Sequence, residues 1–188
     1  MSDGRGRYVY DYPRPMATVD VVVLAGDLPG RDSDRGVQVC PQALLAGQTL
    51  DHPGPELCAP AKNGRDKGLR VLLIKRRRDP FTGAWALPGG YLDENEDPAA
   101  GAGRELWEET GLEGLALREL GFFGRPGRDP RGWTITLAFW ALAGEGEVRA
   151  GDDAAEAAWF PAGALPPLAF DHGEIIARAV AAMSAGPV

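Results

Sequence analysis

Histidine and cysteine are scarce in this chain, with two of each among 188 residues. Cys40 and Cys58 are too few for a disulfide framework and lack the CxxC spacing of a redox or zinc motif. Together with His52 they make a poor zinc set, because no tight local pair anchors it, so free thiols are expected. Long apolar runs are missing as well, and Met1 to Arg7 is polar with no hydrophobic stretch behind a basic start, which argues against a membrane span or a secretory leader and for a cytoplasmic protein. Positive charge is also short: 20 Lys and Arg stand against 27 Asp and Glu, for a formal net charge of -7. A broad nucleic-acid surface needs basic side chains to neutralise phosphates, so that class is disfavoured. A small phosphate-bearing substrate stays open, because a bound cation can supply the missing charge.

What is present suffices for one compact domain, with a 44% hydrophobic content that suits a buried core. The β-branched density of Ala17 to Leu24 predicts a strand, and Leu69 to Lys75 predicts another. Between them, Pro29 to Gly68 is rich in Gly, Pro, Asp and Arg and longer than ordinary connections, so it reads as an insertion at 29–68 in a domain spanning 17–188, after an N-terminal segment 1–16. Within it, Pro41 to Leu50 is either a short helix or part of a disordered surface flap. Asp79 to Gly90 is turn-rich. Asp97 as N-cap, Pro98 at the first helical position and Gly111 as a left-handed cap predict a helix from Pro98 to Thr110. Strands are predicted at Ala116 to Gly124, Trp133 to Ala143 and Ala157 to Phe160, with a closing helix from Gly173 to Met183. Strands alternating with two helices imply a layered α/β fold, without internal repeats.

In the first helix Glu105, Glu108 and Glu109 stand at i, i+3 and i+4, so they share one face. Three carboxylates converging there repel one another, and a hard divalent cation removes that cost. An all-oxygen cluster favours Mg²⁺, with Mn²⁺ as the alternative, over zinc or copper. Taken alone, the three glutamates fit a solvated acidic helix face equally well.

The longer register decides between these. Gly90, five residues, Glu96, seven residues, then Arg104-Glu105-Leu106-Trp107-Glu108-Glu109-Thr110-Gly111-Leu112 resembles the Nudix box at every defined position. The similarity extends to Val71 through Arg76 and Trp85 through Gly90 before the box, and to Gly124 through Arg131 and Phe170-Asp171-His172 after it. Apart from the insertion, most of the domain is similar to the ADP-ribose pyrophosphatase branch of that family.

The resemblance implies an α/β/α sandwich with a mixed central sheet. It also implies a metal site formed by Glu105, Glu108, Glu109 and the backbone carbonyl of Gly89, with Glu96 at its edge. Arg104, by the same match, pairs with a box carboxylate and orients Glu105. The implied reaction is attack by a metal-activated water on a phosphorus of a nucleoside diphosphate linked to another group, with ADP-ribose going to AMP and ribose 5-phosphate as the leading substrate. The general base is left open between the box glutamates, Glu105 or Glu108, and a downstream loop carboxylate, for which Asp152, Asp153 and Glu156 are candidates. Pro126, about fifteen residues past Gly111, matches a proline of ADP-ribose-directed members, and it also reads as an ordinary turn proline beside Gly127. Arg76, Arg125, Arg128 and Arg131 are the substrate-binding candidates. Guanidinium suits bidentate phosphate contact, and the three loop arginines are as readily solvated.

The remaining residues carry weaker signals. Tyr8, Tyr10 and Tyr12 either stack on adenine, pack on a partner subunit or cover core. Trp85 and Trp107 are assigned to packing, and His172 to a cap or packing role. Gly101 and Gly103 each weaken the helix by about 1 kcal/mol relative to alanine. The expected partners are a nucleotide substrate and a second copy of the chain in a homodimer, with no nucleic acid and no membrane. Two rivals are a Nudix hydrolase of an oxidised nucleotide, dinucleoside polyphosphate or nucleotide sugar, and a non-catalytic ADP-ribose sensor of the kind that carries a winged helix.

Overall fold

The valine-rich run forms strand β1 (Met16–Ala25), buried from Thr18 onward, in a computed structural model that describes residues 11–26, 68–144 and 154–185. A strand buried on both faces reads as a continuous apolar stretch, and successive side chains of β1 feed opposite layers. Val22 and Leu24 join a core cluster with Ile175, Ile176, Ala179 and Met183 of helix α2 (His172–Ala185). Val19, Val21 and Val23 join a second cluster with Ala102 and Leu106 of helix α1 (Pro98–Thr110). The sheet therefore lies between two helices, as an α/β/α sandwich.

Around β1 the sheet is mixed. β6 (Thr134–Leu142) runs parallel to it over nine register positions, from Met16↔Thr134 to Leu24↔Leu142, and β5 (Arg118–Phe123) closes that side antiparallel to β6. On the other side β1 is shared. Its C-terminal end pairs with β2 (Arg70–Arg76) at Leu24↔Val71, and its N-terminal end pairs with β4 (Gly89–Tyr91) at Thr18↔Tyr91 and Asp20↔Gly89. β2 turns away to pair with β3 (Trp85–Ala86) and β7 (Ala154–Pro161). This divergence of β2 and β4 from a common neighbour opens a cavity in the sheet, and the glycine loop sits at its lip.

Most expected elements lie where the sequence put them, α1 to the residue and α2 within two. β3 lies inside the passage read only as turns and β4 begins within it, and β7 begins three residues earlier than expected. The insertion at 29–68 and its possible helix Pro41 to Leu50 fall outside the described residues, apart from Gly68. Cys40, His52, Cys58, Tyr8 and Tyr10 also lie outside them, while Tyr12 is exposed. No described helix is long and apolar enough to cross a membrane.

Candidate active site

Both ends of α1 are fixed by the residues that signal them. Asp97 Oδ1 accepts from the N–H groups of Ala99 (2.9 Å) and Ala100 (3.2 Å), and Gly111, at φ 72°, donates its N–H to the Trp107 carbonyl (2.8 Å). With Ala102 and Leu106 buried against the sheet, the neighbouring stripe carrying Glu105 and Glu109 falls on the glycine loop. Glu109 is buried, and its Oε2 accepts a 2.9 Å hydrogen bond from the Gly89 N–H. The Glu105 carboxylate rests where a Cβ at Gly90 would stand. Gly89 itself has φ 154°, and a Cβ there would meet the Val19 carbonyl and, at 2.9 Å, the Asp20 Cα. Both positions therefore need glycine, one for conformation and close approach, the other for the carboxylate it admits.

Burial is the main reason both carboxyls titrate high. It pushes up Glu105, with Glu108 and Glu96 adding to the rise and Arg104 opposing it. It pushes Glu109 up to about 8, helped by Glu105 and Asp20 and opposed by the Gly89 hydrogen bond. The three-carboxylate convergence expected from helical spacing is looser than that. Among the described residues no three acidic, histidine or cysteine side chains are gathered closely enough to hold an ion unaided. Arg104 Nη1 donates to both Glu105 (2.9 Å) and Glu108 (3.3 Å), while Glu109 is bonded to the Gly89 N–H. The donors are nonetheless all oxygen, and the cost of charging Glu105 and Glu109 beside the Gly89–Gly90 backbone is one that a hard divalent cation relieves. The residues fit such an ion.

Arg104 pairs with Glu105 as expected, but its principal partner is Glu96. Nε and Nη2 donate to the two Glu96 oxygens at 2.8 and 3.0 Å, and Nη2 also reaches the Tyr91 carbonyl at 3.1 Å. Arg104, with the Asp93 N–H adding a 2.9 Å bond, holds the Glu96 carboxyl near 2. Glu96 thus anchors Arg104, which also bonds Glu105, and its charge adds to the rise of Glu105.

The cavity beside the loop measures about 120 Å³. Its floor is polar. Arg128 and Asp171, 4% and 5% exposed at their side chains, form a two-armed pair at 2.9 and 2.7 Å, and the Arg128 guanidinium lies 3.5 Å from Asp20. Arg128, a substrate-binding candidate, lines the cavity and spends its Nε and Nη2 on this buried pair. His172 is fully enclosed and lowered by burial; its Nδ1 accepts the Leu87 N–H at 2.8 Å, and its Nε2 lies 3.5 Å from Asp20. This agrees with a packing role. Arg76 and Arg131 reach the rim, where both guanidiniums stack on Phe170, at 4.9 and 5.5 Å from the ring centre. Arg76 donates to the carbonyls of Pro80 (2.8 Å) and Arg78 (3.3 Å); burial, then Arg131, lowers it. Arg131 is raised by its hydrogen bonds to Asp129, the shortest 2.7 Å.

Other expected site residues lie apart. Arg125 is 70% exposed at its side chain and pairs with Glu174 at 3.2 Å, and Pro126 is exposed beside Gly127, at φ 81°. Glu156 lies where the register of β7 against β2 shifts and pairs with Lys75 at 3.5 Å. Asp152 and Asp153 lie outside the described residues. Trp85 packs edge-on against Phe160 at 4.6 Å, whereas Trp107 is 56% exposed and does not pack as expected. Sequence reasoning missed Asp20 and Phe170. A lone carboxylate inside Thr18-Val19-Asp20-Val21-Val22 was a usable signal, and Phe170 stood within the Phe170-Asp171-His172 likeness, though no role was drawn from it.

Comparison with known proteins decides the family. The NUDIX domain model matches residues 55–179, the greater part of the chain. The chain belongs to the Nudix family. An ADP-ribose pyrophosphatase of Methanocaldococcus jannaschii is 46% identical over 111 residues, covering 59% of this Nudix chain and 66% of that protein. The ADPR-responsive transcriptional repressor NtrR of Acinetobacter baylyi is 35% identical over 152 residues, covering 76% of this chain and 60% of that protein. The chain thus spans about two thirds or less of these relatives' lengths. Among solved structures, the Nudix domain of Shewanella oneidensis NrtR in complex with ADP-ribose has a TM-score of 0.67 at 25% identity, covering 97% of this Nudix chain and 99% of that one.

Proposed function

We propose that this Nudix protein hydrolyses the pyrophosphate of ADP-ribose, giving AMP and ribose 5-phosphate. The observation that carries the reading is the lodging of Glu105 and Glu109 against the Gly89–Gly90 backbone, beside a cavity rimmed by two arginines. Likeness to a relative called an ADP-ribose pyrophosphatase and to a domain crystallised with ADP-ribose supports the choice of substrate. Magnesium is the proposed metal, held by Glu105, Glu108, Glu109 and the Gly89 carbonyl; when bound it supplies charge for the phosphate oxygens and acidifies an attacking water. Arg76 and Arg131 bind the anionic substrate. Arg104, anchored on Glu96, keeps Glu105 oriented, and a box glutamate, Glu105 or Glu108, accepts the proton of the water. The same reading takes 17–188 as one domain, cytoplasmic and homodimeric.

A sensor is the second reading, favoured by the likeness to a repressor over 76% of the chain. The assay that separates the two measures AMP release from ADP-ribose with Mg²⁺. We expect turnover that falls by at least about a thousandfold in Glu108→Gln. Binding of ADP-ribose without turnover of any nucleotide would establish the sensor instead. Asp153→Asn in the same assay tells a loop base from a helix base.

A further inference from the structure

Phe170 has a left-handed backbone, φ 53°, which a bulky side chain rarely adopts. Both of its neighbours are pinned. On one side the Ala169 N–H donates to the Trp85 carbonyl at 2.8 Å, and Ala169 is fully buried. On the other, Asp171 is held in the two-armed pair with Arg128, and His172 accepts the Leu87 N–H. Such strain persists only where the surroundings over-determine it. Its result is a ring that projects into the cavity, with the edge of Phe81 5.0 Å away and His172 5.2 Å away. The Arg76 guanidinium lies 4.9 Å from the ring centre and that of Arg131 5.5 Å, and Arg131 is also backed by Tyr91 at 5.1 Å.

Two like charges on one small cavity repel, and each guanidinium is already tied by hydrogen bonds, Arg76 to the Pro80 and Arg78 carbonyls and Arg131 to Asp129. A shared aromatic face attracts both cations and so adds to these bonds a common surface that draws the two guanidiniums together. We propose that Phe170 is a positioning residue that holds Arg76 and Arg131 as a two-armed clamp for the oxygens of a phosphoanhydride. The proposal rests on the reading of the site as one for a nucleoside diphosphate linked to another group. Its action is on binding, because the ring touches the clamp and not the glutamates on α1.

The test is steady-state hydrolysis of ADP-ribose by Phe170→Leu, Phe170→Tyr and Arg76→Met, with Phe170→Leu repeated in the Arg76→Met background. Phe170→Leu is expected to raise KM about tenfold with kcat within about twofold. Phe170→Tyr, which keeps the ring, holds KM within about twofold, and Phe170→Leu adds little once Arg76 is gone. A residue that only packs would lower kcat and thermal stability together, fail to be rescued by tyrosine, and act additively with Arg76→Met; any of these, or unchanged constants, overturns the clamp. If the wild-type protein does not turn over ADP-ribose, the functional reading falls by itself, and the clamp is judged on calorimetric binding of ADP-ribose in EDTA. There an approximately tenfold weaker Kd in Phe170→Leu sustains it, whereas equal affinities or no binding by either protein sink it.

Discussion

Asp20 is a carboxylate in a strand of valines, and it is tolerated because two buried cationic or protic groups face it at 3.5 Å, Arg128 and His172. The histidine is held neutral: its Nδ1 must stay unprotonated to accept from Leu87, and burial lowers it from the ordinary 6.5. The sign of its linkage follows. Below pH 6.5 the unfolded chain takes up a proton that the folded one refuses, so this contribution to stability is complete above 6.5 and is lost as the pH falls toward the folded value. His172→Gln keeps an acceptor for Leu87 but does not titrate. Urea midpoints measured from pH 7.5 down to 5 are therefore expected to fall more steeply for the wild type than for His172→Gln, and parallel curves would refute the assignment. At this scale the glutamates of the box were legible because their spacing lies within a few turns of one helix. The partners of Arg128 and Glu156, Asp171 and Lys75, were not legible because only the folded chain supplies them.

Helix α1 was read to its ends because caps are local: Asp97, Pro98 and Gly111 each satisfy or replace a backbone group within a turn. Its two internal glycines are not equivalent. A Cβ at Gly103 meets nothing within 4 Å, so Gly103→Ala is expected to raise stability by up to about 1 kcal/mol, read as a higher urea midpoint with unchanged slope. A Cβ at Gly101 meets the side chains of Leu92 and Glu96, the latter at 2.8 Å, and Glu96 is the anchor of Arg104. No gain at Gly103 would mean that the alanine perturbs the helix elsewhere. β3 and β4, two and three residues long, are too short to show a period of two, and their pairing is set by β2 and β1 across the sheet. β7 opens on Ala154-Ala155-Glu156, a run without β-branched residues, which hid its first three positions.

Over the whole molecule, Leu24 and Leu72 are both fully buried on neighbouring strands, yet they serve opposite layers, Leu24 that of α2 and Leu72 that of α1. If the sandwich unfolds as one unit, Leu24→Ala and Leu72→Ala each remove about 2–5 kcal/mol, and tryptophan fluorescence and far-UV circular dichroism trace a single coincident transition in both variants. Separate transitions would show that the layers are held independently. Sequence patterns gave the alternation of elements and hence the class of fold. They did not give the strand order, because nothing local says that β1 lies beside β6, or that β2 and β4 share its other edge.

The long parallel pairing of β1 with β6 also has a temporal side. Met16 meets Thr134 and Leu24 meets Leu142. During synthesis at about 5–20 residues per second, the first strand therefore waits on the order of ten seconds for its main neighbour to emerge. Throughout that interval a valine-rich ribbon has one side bare on the nascent chain, and an unpaired strand edge of this kind invites pairing with other chains.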